Sequence, residues 1–471
     1  MAFRAVKLDE NFTQVHTGPA QTTEPAPRSQ PVRDRYDLAT AIGVVREMET
    51  SFGRTNVFEE IKAKNALYRT VDRLYTLAGA ALFQPLILFL YMIKCAISVG
   101  PFNQKDAEAV AISQFDNEHR TIERIAALAP DLRVLRLTHE HGHIFALANV
   151  ATALRMLGSL PRVWSLLRIL ARRYSFMPAA RIASALAFYM RFTALFAERP
   201  DLKAAIVASN YSPEAVGMAA AAHRHDRRVV YSNHAPVPAN GAVVPPVYAD
   251  CALFYGEEST RTYQRRSVCT AEVAYIGQPG TSRAMEWRDG VETVGIFLTA
   301  GTKVDVLKSL VATIRLDLPD ARIIIRQHPV TLLRTDFAEI GLDDPNLELT
   351  IGNPLDDEIA ACDLVICGNS GVAMNVLSGG RPVAYISSLD GLTFDANGFV
   401  ASRLVLSVPW WTDDIYDRLK GFYQAPGWQG VMRSYDASYG CDLAQLHRDA
   451  AQTLLRHIRP DKAVPELRRA A

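Results

Sequence analysis

At 471 residues the chain is too long for one hydrophobic core and calls for two domains with appendages. Its 51 Lys and Arg balance 50 Asp and Glu, so no global field favours a nucleic-acid partner, and any basic patch must be local. Six scattered cysteines (Cys95, Cys251, Cys269, Cys362, Cys367, Cys441) form no CxxC pair, which argues against structural disulfides and for a reducing, cytoplasmic compartment.

Residues 1–35 are polar and rich in Pro, Thr and Gln, without the apolar core of a secretory signal, and read as a disordered leader. Residues 36–125 read as helical. Within them Leu77–Ile93 holds no charged residue. That run is shorter than the roughly 20 residues a spanning helix needs, and Gln84 and Pro85 interrupt it. A further helix is expected between 105 and 125. Pro161–Phe196 interleaves arginines with Trp164, Phe176, Phe188 and Phe192. Such a pattern fits helices lying on an anionic membrane surface, or helices packed on a core with solvated arginines. Together the two segments predict peripheral membrane association.

Strands then alternate with helices, which predicts α/β architecture with two doubly wound parallel sheets facing a cleft. A first domain is expected over 126–280. Its strand Leu132–Leu137 delivers the turn Thr138-His139-Glu140-His141-Gly142-His143. The strand Ala204–Ala208 leads to a small-residue helix that begins near Glu214, and Arg228–Tyr231 runs into Ser232-Asn233-His234. A second domain is expected over 281–430, and a C-terminal helix and tail over 431–471.

Two turns of the second domain carry the functional signal. The run Ile323-Ile324-Ile325 closes on Arg326-Gln327-His328-Pro329, and Leu364-Val365-Ile366 closes on Cys367-Gly368-Asn369-Ser370-Gly371. Ligands of open parallel sheets sit at the carboxyl ends of the strands. A His-Pro turn offers an imidazole N–H to a phosphate, and an Asn-Ser-Gly turn offers a hydroxyl and backbone N–H groups. Thr302 and Lys303 follow another strand and bring a point charge to the same place. The set describes a nucleotide mono- or diphosphate site.

The succession Asn233-His234-Ala235-Pro236, Tyr275-Ile276-Gly277-Gln278-Pro279, Arg326-Gln327-His328-Pro329 and Gly368-Asn369-Ser370-Gly371 resembles bacterial GT-B-fold glycosyltransferases of surface polysaccharide synthesis. These are the capsule, Kdo-transferase, bacterial sialyltransferase and CDP-glycerol polymerase group, and the resemblance covers about residues 200 to 400. It implies two Rossmann-like domains, no bound metal or cofactor, and a nucleotide-sugar donor, CMP- or CDP-linked. It also implies a glycan or lipid-linked acceptor. His328 and Ser370 would hold the donor phosphate. Alanine stands at 235 where the family usually has glycine, and the segment Val372-Ala373-Met374-Asn375 lacks the family's carboxylate.

Without a metal, the leaving phosphate's charge must be met by helix N-termini, His and Arg or Lys. Arg326, His328, Pro329, Asn369, Ser370, Gly371, Thr302 and Lys303 are the candidates. An acceptor hydroxyl needs a general base, for which His234, Glu214 and Glu140 are the candidates, beside His139, His141 and His143. Asp356-Asp357-Glu358 reads as a helix cap, and Trp410, Trp411 and Trp428 as packing or sugar-stacking residues. Rival readings are a nucleotide-sugar 2-epimerase and a non-catalytic scaffold of a polysaccharide machine.

Overall fold

The computed structural model describes residues 38–50, 66–79, 82–99, 106–138, 147–240, 244–280, 282–299, 301–328, 340, 344–390 and 394–460. Two six-stranded sheets organise them, and every named pairing is parallel. The first runs in the order β2-β1-β3-β4-β5-β6: β1 Ala109–Ser113, β2 Val134–Thr138, β3 Ala204–Val207, β4 Arg228–Ser232, β5 Cys251–Phe254 and β6 Glu272–Tyr275. The second runs β12-β11-β10-β7-β8-β9: β7 Thr293–Phe297, β8 Arg322–Arg326, β9 Leu347–Thr350, β10 Leu364–Cys367, β11 Val383–Tyr385 and β12 Leu406–Ser407. Sheets covered on both faces need strands that are apolar on both faces, and β3, β5, β7, β10 and β11 are buried along their whole length. The expected α/β fold of two doubly wound sheets is the one found.

The helix expected between 105 and 125 is instead β1 followed by the helix Asp116–Leu128. Ala109-Val110-Ala111-Ile112-Ser113 is short, alanine-rich and completely buried. Such a run gives no periodicity by which to separate strand from helix. The first sheet therefore begins well before residue 126.

One face of the first sheet carries the helices Phe176–Glu198 and Pro213–Arg224, which pack on one another. Gly217 makes this close approach possible: a Cβ there would lie 2.6 Å from the Ala185 carbonyl oxygen and 2.7 Å from the Tyr189 nitrogen. The Phe176–Glu198 helix buries nineteen of its 23 residues, including Phe188, Phe192 and Arg191. It is the centre of the helical layer and not a surface helix, so the membrane reading fails for this part of Pro161–Phe196. The opposite face is covered by Asp116–Leu128 and by the C-terminal helix Leu443–Ile458, which returns to the first sheet from the second. Arg459 fixes its end by pairing with Glu108 and Asp131, donating from Nε to Glu108 at 2.9 Å.

The two halves are joined at Gly277-Gln278, where Gly277 takes a left-handed φ of 72°. Asp436, fully buried, accepts from the Gln278 N–H at 2.9 Å, the Ser438 N–H at 3.0 Å and the Ser378 hydroxyl at 2.8 Å. One carboxylate thus ties the linker, the second domain and the C-terminal segment together. The tryptophans serve packing. Trp411 and Trp428 are buried, and Trp410, Trp411 and Trp428 donate to Thr313, Asp317 and the Leu404 carbonyl.

Candidate active site

An open parallel sheet leaves a crevice where its strand order reverses. In the first sheet that point lies between β1 and β3, and in the second between β7 and β10. The chain segments leaving these four strands, with their neighbours, hold most of the candidate residues.

On the first side β1 leads to Glu118, and β3 leads to Glu214 in the first turn of Pro213–Arg224. Both carboxyls are buried, 3% and 2% exposed. Glu118 Oε2 accepts the Gln114 N–H at 2.8 Å, whereas Glu214 Oε1 has no hydrogen-bond partner. Burial pushes both above the usual carboxylate range, and the Glu214 charge adds to the effect at Glu118. The His234 charge acts on Glu118 in the opposite direction.

His234 follows β4. Its Nδ1 lies 2.6 Å from the Ala208 carbonyl oxygen. A carbonyl only accepts, so the proton is assigned to Nδ1, and Nε2 is left as the basic nitrogen, 3.4 Å from the Tyr211 hydroxyl. Nearby, a small cavity is lined by Asn210, Tyr211, Tyr231, Asn233, His234 and Tyr263, among others. Arg181 donates to the Tyr211 carbonyl at 2.7 Å and lends its charge to the Glu214 surroundings.

On the second side the arrangement departs from the sequence expectation in three places. Arg326 pairs with the buried Glu358 and donates to the Asn353 carbonyl at 2.9 Å, so its charge is spent inside the domain. The Thr302 hydroxyl is spent in its own turn, accepting the Thr299 N–H at 3.0 Å. The Asn369 N–H is taken by Asp390 at 2.6 Å, and Asp390 packs so tightly that a Cβ at Gly368 would lie 2.4 Å from it. The Asn369 side chain accepts the Ala396 N–H at 2.8 Å, which leaves its Nδ2 buried without a partner. Tyr385, at the end of the neighbouring strand β11, has a buried hydroxyl in the same condition.

Ser370 Oγ accepts the Val372 N–H at 3.3 Å. Lys303 is exposed at the start of Val304–Asp317. His328 is half-buried at the end of β8, and burial holds it below the ordinary imidazole value, hence neutral at pH 7. Glu140, Pro329, His139, His141 and His143 lie outside the described residues.

The loop after His234 reaches the second domain. A Cβ at Gly371 would stand 3.3 Å from Pro236. Asn240 donates from its backbone to the Ala396 carbonyl at 3.0 Å and from its side chain to the Asp395 carbonyl at 2.8 Å. His234 and the Asn369-Ser370-Gly371 turn therefore belong to one locality. Sequence reasoning misses Glu118 because Ala109–Ser113 reads as part of a helix, and Asp390 because nothing local marks a residue that folds back on a turn about twenty positions earlier.

No family model matches this chain, and no curated protein matches it. Solved structures with a similar course of chain include a UDP-GlcNAc 2-epimerase of Neisseria meningitidis bound to UDP-GlcNAc. It is 10% identical, covers 74% of this chain and 99% of that one, and has a TM-score of 0.42. The glycotransferase of kitacinnamycin is 13% identical over 75% and 100%, with a TM-score of 0.45. The glycosyltransferase SnogD of Streptomyces nogalater is 14% identical over 74% and 99%, with a TM-score of 0.43. Likeness at this level concerns the course of the chain, and no residue role passes from these proteins to this one.

Proposed function

We propose that this chain is a GT-B-type transferase that moves a sugar, or a related polyol phosphate, from a nucleotide-activated donor to a glycan or lipid-linked acceptor. The observation that carries the reading is His234. Its tautomer is fixed by the Ala208 carbonyl, its Nε2 is basic, and its loop touches the turn at Gly371. For sugar transfer, the acceptor hydroxyl gives its proton to Nε2 as its oxygen attacks the anomeric carbon. The bond from that carbon to the donor phosphate breaks, and the electron pair leaves with the phosphate. Glu118, whose charge interacts with that of His234, eases the positive charge that develops on the imidazole. His328, the Asn369 Nδ2 and Lys303 meet the charge of the departing phosphate. Ser370 orders the turn. The resemblance favours a cytidine-nucleotide donor, bacterial surface polysaccharide synthesis, and a place at the inner face of the cytoplasmic membrane.

The test is a thermal-shift screen against CMP, CDP, UMP, UDP, GDP and ADP, repeated on His328→Ala. One nucleotide should stabilise the folded chain. The variant should bind it more weakly by about 1.5–3 kcal/mol, the worth of a hydrogen bond to a charged group. No stabilisation by any nucleotide, or equal affinity in the folded variant, removes the donor site.

A second reading has one observation in its favour. The buried pair Glu118 and Glu214, the first within range of the His234 charge, supplies the carboxylates that a nucleotide-sugar 2-epimerase would use, which the sequence does not bring together. Interconversion of a UDP-sugar with no acceptor present would establish that reading in place of transfer.

A further inference from the structure

No described helix is long and apolar enough to cross a membrane, and Phe83–Ile97 has only 15 residues. This helix nevertheless has two apolar faces. Inward, Leu88, Phe89, Met92 and Cys95 are buried against the helical layer, and Tyr91 and Cys95 lie within range of the Glu214 charge. Outward, Phe83, Leu86 and Leu90 are 59%, 38% and 57% exposed at spacings of three and four, and the exposed Lys94 completes the row. The neighbouring helix Leu147–Leu157 packs on it and presents Leu154 and Leu157, 62% and 49% exposed. Ala66–Leu77, on another flank, presents Leu74 and Leu77. Apolar residues repeated at helical spacing on the solvent side of three adjoining helices are not the scattered exposure that any surface shows.

Charge selects the occupant. These three helices and Leu160–Arg173, which also packs on Phe83–Ile97, carry eight Lys or Arg against one acidic residue, Asp72. Arg155 and Arg173 meet Glu198 and Glu49 from other helices, while the exposed Arg69, Arg73, Lys94 and Arg172 keep the surface basic. A second copy of the chain would set this basic face against itself. An anionic bilayer accepts both the leucines and the cations.

We infer that Ala66–Leu77, Phe83–Ile97 and Leu147–Leu157 form a docking face for an anionic lipid bilayer, with Phe83, Leu86, Leu90, Leu154 and Leu157 entering the headgroup boundary. The partner deepens the transferase reading and rests on it for one point, that the acceptor is lipid-linked. The helix that meets the bilayer on one side approaches Glu214 with the other, so a membrane-held acceptor would have a short path to His234.

The experiment is flotation of the full chain with vesicles of phosphatidylglycerol and phosphatidylethanolamine, and with vesicles of phosphatidylcholine alone. The chain should float with the anionic vesicles, at least tenfold more weakly with the neutral ones, and release as salt rises. Leu86→Glu/Leu90→Glu should lose tenfold or more of the binding at an unchanged melting temperature. Leu349→Glu, an exposed leucine of β9, should bind as the unaltered chain does. Failure of the unaltered chain to float, or equal flotation of the double variant, overturns the docking face. A dimer in light scattering that the double variant splits, with no flotation, assigns the face to a second copy and also overturns it. Nucleotide binding is measured separately without vesicles. Its absence sinks the transferase reading and leaves the flotation result standing.

Discussion

The two reversal points share one architecture and are furnished in opposite ways. Between β1 and β3 the chain has buried two carboxyls, left one oxygen of Glu214 unpaired, and set His234 with its basic nitrogen free of the Ala208 contact. Between β7 and β10 most charge is already consumed: Arg326 by Glu358, and the Asn369 N–H by Asp390. What remains there is neutral and donating, namely the Asn369 amide and the Tyr385 hydroxyl. The first crevice is suited to moving a proton, the second to holding an anion by hydrogen bonds. The same fold supplies the position, and the residues just past the strands decide the chemistry.

The sharpest way to break this contrast is His234→Ala. Loss of a positioned base should lower the transfer rate by about 10²–10⁴-fold, while donor-nucleotide affinity stays as it was. Equal loss of affinity and rate would place His234 in donor binding and dissolve the division of labour.

Asp390→Asn probes the second crevice. Removing a carboxylate beside the proposed phosphate position should raise nucleotide affinity by about 1 kcal/mol, read by calorimetric titration. Weaker binding would mean instead that Asp390 accepts a hydrogen bond from the ligand.

The smallest effect is expected from Glu214→Gln. The folded-state pKa of Glu214 is raised by burial above the unfolded value of about 4.3. Between the two values the native state holds a proton that the unfolded state has lost, so this group's contribution to stability falls as pH rises through that window. The glutamine variant does not pay this cost. Its melting temperature should exceed that of the unaltered chain by about 2 °C at pH 8, with the difference vanishing near pH 4. A variant less stable at pH 8 would show that the ionised carboxylate is held by partners and not merely buried.

Much of the second domain was legible because its strands are long β-branched runs. Ile323-Ile324-Ile325 and Leu364-Val365-Ile366 announce buried parallel strands, and the turns that follow them hold His328 and Asn369-Ser370-Gly371 at the reversal point and on the strand beside it. The first domain was harder. Ala109–Ser113 is written in residues that suit a helix equally well, and with that strand misread, Glu118 had no place near Glu214. The arginine-studded stretch Pro161–Phe196 has the composition of a membrane-surface helix, yet Phe176–Glu198 lies in the centre of the core. The leucines left outside belong to other helices, Ala66–Leu77, Phe83–Ile97 and Leu147–Leu157, whose outward faces become visible only after the layer is assembled.

The sequence by itself determined the class of fold, the alternation of strands and helices, and the two polar turns of the second domain. All three depend on short-range pattern: hydrophobic period, β-branched runs and turn chemistry. The tertiary structure decided which charges are spent and which are left. Glu358 reaches Arg326 across 32 residues, Asp390 reaches Asn369 across 21, and Asp436 reaches Gln278 across 158. Pairings at such separations follow from which strands become neighbours, and no local stretch of sequence records that.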